Sequence, residues 1–206
     1  DAVQRAENHN HHSRRVVLLV TLDVKNAFNS VKWSNILHEL EHTFQVPKYL
    51  LRIFDSYLAD RSLLYNTKEG DKYMKITSGA AQGSILGPDL WNISYDSLLR
   101  VCMPEETVLV GYADDVAVLI SARNMKLAQI KLNQAMRKIN GWMQDHGLSL
   151  AFNKTDIVIL TKKRIDTKVA MLVGEEVVMT KSVARYLGIM IDCKLTFLNQ
   201  INHTAD

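Results

Sequence analysis

The chain has only two cysteines in 206 residues, Cys102 and Cys193. That excludes a small secreted scaffold held by disulfides and points to a reducing compartment. It also lacks any apolar run near the roughly 20 residues that span a bilayer. The first residues are polar, so no secretory hydrophobic segment opens the chain. No internal repeat and no long low-complexity linker interrupts it. Charge of one sign is scarce in excess: Lys plus Arg is 25 and Asp plus Glu is 22, a net of +3. Such a balance permits a nucleic-acid partner without demanding one. No Gly-Lys-Ser/Thr follows the one Gly-rich loop, which excludes a P-loop ATPase.

What is present reads as an ordinary globular protein, 47% hydrophobic and 23% charged. The chain begins with Asp1 and ends in polar residues, so it reads as a piece of a longer polypeptide. Residues 1–15 form a polar lead-in. His9, His11 and His12 cluster there but lack a further ligand at zinc-like spacing, and they read as solvated. Residues 16–22 are a continuous β-branched run, the pattern of a strand buried on both faces. Helical spacing covers 33–43, with Ser30 as a candidate N-cap. It also covers 47–59, with Tyr49, Leu50, Ile53, Phe54, Tyr57 and Leu58 as its apolar stripe. A hairpin is expected over 61–77, a helix over 86–99 with Pro88 in its first turn, and a second hairpin over 108–120. A long helix over 124–146 ends at Gly147. Short strands follow at 157–160, 169–172, 176–179 and 186–191. Hairpins mixed with helices predict an α+β fold, an antiparallel sheet backed by helices.

Three elements carry candidate chemistry. Asp114 and Asp115 are adjacent acids between two apolar strands. They read either as turn formers or as a repelling pair held together by a cation. Asp23 ends the most hydrophobic strand of the first half, where an acid is costly unless it is paired or metal-bound. If the two strands are neighbours, Asp23 and Asp114 can face each other, and with the Val24 carbonyl they make an oxygen-rich Mg²⁺ site. The loop 78–84 is Gly-rich and enters a helix, which suits close approach of phosphate or sugar, though by itself it reads more readily as a structural turn.

Together these segments resemble the reverse transcriptase palm, particularly that of non-LTR (LINE-type) retrotransposons of the R1-like arthropod group. Val20-Thr21-Leu22-Asp23-Val24-Lys25-Asn26-Ala27-Phe28-Asn29 resembles the first catalytic motif of that family, and Ser78-Gly79-Ala80-Ala81-Gln82-Gly83-Ser84-Ile85-Leu86-Gly87-Pro88 the second. Tyr112-Ala113-Asp114-Asp115 is similar to its hallmark tetrad. Gly147-Leu148-Ser149-Leu150 through Asn153-Lys154-Thr155 resembles the fourth motif, and Arg185-Tyr186-Leu187-Gly188-Ile189-Met190-Ile191-Asp192 the fifth. One departure is Ala81, where many members carry proline.

The resemblance implies an RNA-directed DNA polymerase that adds deoxynucleotides to a primer 3′-end by two-metal nucleotidyl transfer. The cofactor would be Mg²⁺, with Mn²⁺ as the alternative ion. It implies Asp23, Asp114 and Asp115 as catalytic acids and metal ligands, with Val24 contributing its carbonyl. Lys154 would assist the leaving pyrophosphate, although Lys162 and Lys163 lie close in sequence. Phe28 would exclude a 2′-hydroxyl, Gln82 and Gly83 would contact template and nucleotide, and Tyr112 would pack near the primer terminus. Tyr186, Leu187 and Gly188 would form the primer grip, with Leu187 and Ile189 as core residues. The implied partners are an RNA template, a DNA primer and dNTPs, with no membrane, together with the fingers, thumb and endonuclease domains of the full polypeptide. The implied location is a nuclear or cytoplasmic ribonucleoprotein. The palm would occupy 16–192 and a truncated tail toward the thumb 193–206, so fingers and thumb are largely missing. A catalytically inactive transposon remnant or nucleic-acid-binding module is the alternative. A two-metal phosphatase or nuclease accounts for the acids alone.

Overall fold

The structure is a computed structural model that describes residues 15–81, 83–161 and 165–205. The three N-terminal histidines lie outside them. The chain divides into two compact units.

The first unit takes in the residues up to Lys25, Val101–Trp142 and those from Ser149 on. Its centre is a four-stranded antiparallel sheet built from β1 (Val16–Asp23), β4 (Thr107–Tyr112), β5 (Asp115–Ala122) and β6 (Asp156–Leu160), in the order β4-β5-β1-β6. The expected β-branched run is β1, hydrogen-bonded on both edges and covered on both faces. Val17 and Leu19 share one face with Ala117 and Val158. Ala184 is buried on them, and Tyr186, Ile191, Cys193 and Leu195 pack around the cluster. Leu18, Val20 and Leu22 are buried on the other face. A long helix, α5 (Met125–His146), starts in this unit and reaches the sheet through Lys131, whose ammonium donates to the Ser121 carbonyl (2.9 Å) and to Glu106 (2.8 Å). Arg15 also pairs with Glu106. Leu132, Ala135, Met136 and Ile139 of α5 are buried as the spacing predicts, whereas Ile130 is exposed. Asn124 caps the helix by accepting from the Leu127 N–H (2.9 Å).

Two hairpins complete this unit: β7 (Ala170–Val173) with β8 (Glu176–Met179), and β9 (Val183–Tyr186) with β10 (Ile189–Asp192). The expected strand over 186–191 is therefore corrected. It is broken by a two-residue turn in which Leu187 (φ 49°) and Gly188 (φ 82°) are both left-handed, the requirement of a type I′ turn. That turn also overturns Leu187 and Ile189 as core residues, because they stand 44% and 47% exposed at its rim.

A short helix missing from the sequence reading, α6 (Leu198–Ala205), follows. Buried Asp192 organises its approach. One carboxylate oxygen accepts from the Lys194 and Thr196 N–H groups, the other from the Phe197 N–H and the Thr196 hydroxyl. Burial alone would raise its pKa, but those donors together hold it below the ordinary 3.8.

The second unit takes in Asn26–Arg100 and Met143–Leu148. It holds α1 (Ala27–Ser30), α2 (Trp33–His38) running into a π turn (Glu39–Thr43), α3 (Lys48–Leu58), the hairpin of β2 (Ser62–Thr67) and β3 (Gly70–Lys75), and α4 (Gly87–Leu99). Ser30 is not a cap: it lies within α1, and Lys32 precedes α2 without a side-chain cap bond. Of the α3 stripe only Leu58 is buried, while Tyr49 and Ile53 are exposed. The core comes instead from Val31, Ile36, Leu40, Leu90, Trp91, Tyr95 and Leu98. The end of α5 lies here and closes as the sequence predicts. Gly147 (φ 70°) donates to the Gln144 carbonyl and Leu148 to that of Met143, the paired bonds of a Schellman motif.

Asp192→Asn leaves donors around one oxygen poorly matched, and is expected to cost about 1–2 kcal/mol at pH 7 by chemical denaturation. The lowered folded pKa makes this stabilisation complete above the ordinary carboxylate range. The gap between variant and parent should therefore narrow as pH falls through the depressed value. A pH-independent gap would refute the ionic account.

Candidate active site

β1 pairs with β5 so that Asp23 lies opposite Asp115, and β4 pairs with β5 so that Tyr112 lies opposite Asp115. Directly opposed residues share a face. Asp23, Asp115 and Tyr112 therefore lie on one face, at the end of the row that begins with Val17, Leu19 and Ala117. The expectation that Asp23 faces Asp114 is corrected by one residue. The β4–β5 connection is a two-residue turn, Ala113-Asp114, which places Asp114 in the turn and gives the strand position to Asp115.

Asp115 carries the cost of this arrangement. Burial raises the Asp115 pKa above 3.8, and the charges of Asp114 and Asp23 raise it further. This is the cost of burying an acid beside other acids. Among the described residues Lys154, on a 3₁₀ turn (Phe152–Lys154), offers a counter-charge, its ammonium 3.0 Å from Asp23 Oδ2. Its turn is anchored to the end of β1. Lys25 N–H donates to the Ser149 carbonyl and Ala151 N–H to the Asp23 carbonyl, with Val24 and Leu150 forming the bridge between them. In such a bridge the bonds belong to the flanking residues, so Val24 turns its own N–H and carbonyl to the opposite edge, the one that β5 pairs with.

The donor set is all oxygen, which fits a hard divalent cation, and a cation there would relieve both the burial of the Asp115 charge and its repulsion by Asp114 and Asp23. Among the described residues, no three His, Cys, Asp or Glu side chains converge closely enough to hold an ion. Asp23 and Asp115 share a face, with Asp114 in the adjoining turn, and the three do not enclose one point.

The fifth-motif hairpin packs on this same face. Tyr186 is half-buried, and its hydroxyl is buried without a hydrogen-bond partner among the described residues. Burial and the Asp115 charge both raise its pKa. Leu187 and Gly188 form the exposed tip. Tyr112 is 66% exposed beside the acids.

Phe28 and Gly83 belong to the second unit. Phe28 sits on α1, half-exposed. The loop that starts at Ser78 is fastened to the Phe28 turn: Ala80 N–H donates to the Phe28 carbonyl (2.6 Å) and Gly79 N–H to that of Val31 (2.8 Å). Gly79 is required there, because its φ is +98° and a Cβ would lie 3.1 Å from the Phe28 and Asn29 carbonyl oxygens. The Trp33 indole donates to the Gly79 carbonyl (2.8 Å). Gly83 lies exposed in the turn that follows. Gln82, Lys162 and Lys163 lie outside the described residues. Trp91, which touches the Phe28 ring, escaped the sequence reading. Its only signal there was an aromatic spaced i, i+4 from Tyr95 on a helix.

A family model described as reverse transcriptase (RNA-dependent DNA polymerase) matches residues 2–191. The chain belongs to the reverse transcriptase family. It is 29% identical over 185 residues to a 115 kDa protein of the type-1 retrotransposable element R1DM of Drosophila melanogaster, covering 90% of this chain and 18% of that protein. It is 28% identical over 189 residues to the RNA-directed DNA polymerase from the mobile element jockey of the same fly, covering 88% and 20%. The non-LTR retrotransposon resemblance read from the motifs agrees with these relatives. The chain spans about a fifth of their length. Among solved structures, apo telomerase from Candida tropicalis, truncated from its C-terminal domain, superposes with a TM-score of 0.62 at 16% identity, over 88% of this chain and 35% of that one. That likeness is one of fold, and it agrees with the expected partial palm. Members of the family use divalent metal ions. Among the described residues no helix is long and apolar enough to cross a membrane.

The raised Asp115 pKa has a definite sign. The folded chain binds this proton more tightly than the unfolded chain, so stability falls as pH rises through and above the ordinary carboxylate range. Asp115→Asn removes the burden. It should raise the melting temperature of the metal-free chain at pH 7 and leave it unchanged near pH 3, by differential scanning fluorimetry. A lower melting temperature at pH 7 would contradict the repulsion.

Proposed function

We propose that this chain is the catalytic palm segment of a retrotransposon RNA-directed DNA polymerase. The observation that carries the reading is the register that sets Asp23 opposite Asp115, with Asp114 in the adjoining turn, within a reverse transcriptase. The substrates are a DNA primer annealed to an RNA template, and dNTPs.

Asp23, Asp114 and Asp115, with the Val24 carbonyl, supply hard oxygen ligands for Mg²⁺, with Mn²⁺ as the alternative. When bound, such ions favour deprotonation of the primer 3′-hydroxyl and offset charge on the leaving pyrophosphate. In the free chain Lys154 keeps Asp23 paired. Its ammonium is solvent-accessible on a flexible stem, so it can leave Asp23 and hold a proton for a pyrophosphate oxygen. Tyr112 offers an exposed ring on the acid-bearing face, suited to packing on the primer terminus. The Leu187-Gly188 tip of the hairpin on that face suits the primer backbone. Tyr186 serves beneath it as packing, since its hydroxyl is buried. By its match to the first motif, Phe28 is assigned as the rigid ring that rejects a 2′-hydroxyl by collision. Gly83 and Gln82 meet template and nucleotide, and recognition there runs through shape and backbone.

The test is primer extension on an annealed RNA template by this chain with dNTPs and Mg²⁺. Asp114→Asn and Asp23→Asn should each lower extension by about 100-fold or more, as should chelation of the metal. Folded protein without extension would overturn the proposal that this segment is itself an enzyme. Binding of the primed template without turnover would favour a nucleic-acid-binding module.

A further inference from the structure

The Phe28 ring is held from a side that the catalytic motifs do not name. Its backbone is fixed by the Ala80 N–H and by the close approach of Gly79, but those bonds leave the side chain free to turn about its own torsions. The ring meets Trp91 of α4, with centroids 5.2 Å apart and planes inclined at 31°. Trp91 is 1% exposed and stacks in turn on Tyr95, one helical turn on, at 5.3 Å and 23°. The three rings form a short ladder whose inner members are buried and whose outer member, Phe28, is half-exposed. An aromatic pair at this distance adds contact energy and, more to the point, a preferred orientation. Buried and close-packed, the indole leaves the Phe28 ring no room to retreat toward α4.

We propose that Trp91 is a positioning residue that sets how far the Phe28 ring projects, and so how strongly the site rejects ribonucleotides. This rests on the reading of Phe28 as the sugar-facing ring. The discriminating collision is only as hard as the backing of the ring that makes it. A ring able to slip back by a fraction of its thickness would admit one extra oxygen. Replacing the indole with phenyl removes the fused second ring and opens space behind Phe28 on the α4 side. The deoxynucleotide, which never touches that limit, should be served almost as before. Trp91 would then act on selectivity rather than on the chemical step.

The test measures kcat and KM for a dNTP and its matching rNTP on a primed RNA template. The proteins are the parent chain, Trp91→Phe, and Trp91→Met, which keeps much of the volume with a flexible side chain. Melting curves show which variants are folded. The expected result for each folded variant is a fall of about tenfold in the dNTP-over-rNTP preference, carried mainly by a lower KM for the rNTP. The dNTP kcat should stay within about threefold of the parent. In a Phe28→Ala background, Trp91→Phe should change the preference no further, because it acts through the ring already removed. An unchanged preference, or an equal loss of activity on both nucleotides, would overturn the proposal and leave Trp91 a core residue. If neither variant folds, Trp91 is a core residue and the proposal fails. A parent chain without turnover would remove the underlying functional reading, and a parent with turnover but no preference would remove the assignment of Phe28. Each outcome is separate from failure of the Trp91 inference alone.

Discussion

The β1–β5 register, which sets Asp23 opposite Asp115 at the end of a buried row, is the constraint on which the first unit depends. Asp23, Asp114 and Asp115 are brought together by strand pairing, and burial makes their company more costly. The sheet can bear this because β1 is bonded on both edges and buried on both faces. The same pairing makes the site intolerant of changes in length. A one-residue slip of β1 against β5 would carry Asp23 to the opposite face and bring Val17 and Leu19 with it. The hydrophobic core and the acid site are specified by one register, and neither can shift without the other.

Lys154 answers part of the acids' charge from outside the sheet. It reaches Asp23 because the 3₁₀ turn is hydrogen-bonded to the end of β1, so the fourth motif and the first are joined through backbone as well as charge. The fifth motif covers the other end of the same face. Ala184 and Tyr186 close the apolar half, and the half bearing Asp23, Asp115 and Tyr112 is left accessible. One sheet face thus serves as core at one end and as a reactive surface at the other.

Much of this was legible in the sequence, for identifiable reasons. The run at 16–22 read as a doubly buried strand, and the long helix declared its stop at Gly147, though Asn124 proved to be its cap rather than its first residue. The acids stood out because charged residues at the ends of apolar strands are costly. Their register did not, since a turn of two residues rather than three changes which aspartate faces Asp23. The break in the last long strand was hidden because Leu187 takes a left-handed conformation that leucine seldom adopts. The final helix was missed because its stabilising element, Asp192, lies before its first turn and read as the end of a motif. Trp91 was invisible as a partner of Phe28, because 63 positions separate them and only the fold brings the rings together.

The hairpin of β2 and β3 stands apart from all of this. Almost every residue in it is exposed on both faces, Tyr73 and Met74 among them. Two strands alone are marginal in water, so little besides their own ladder keeps them ordered. Their amide hydrogens should exchange with solvent through local opening, on a timescale far shorter than that of the β1 amides, which must wait for the sheet to come apart. A single deuterium-labelling experiment would resolve the chain into a fast hairpin and a slow sheet.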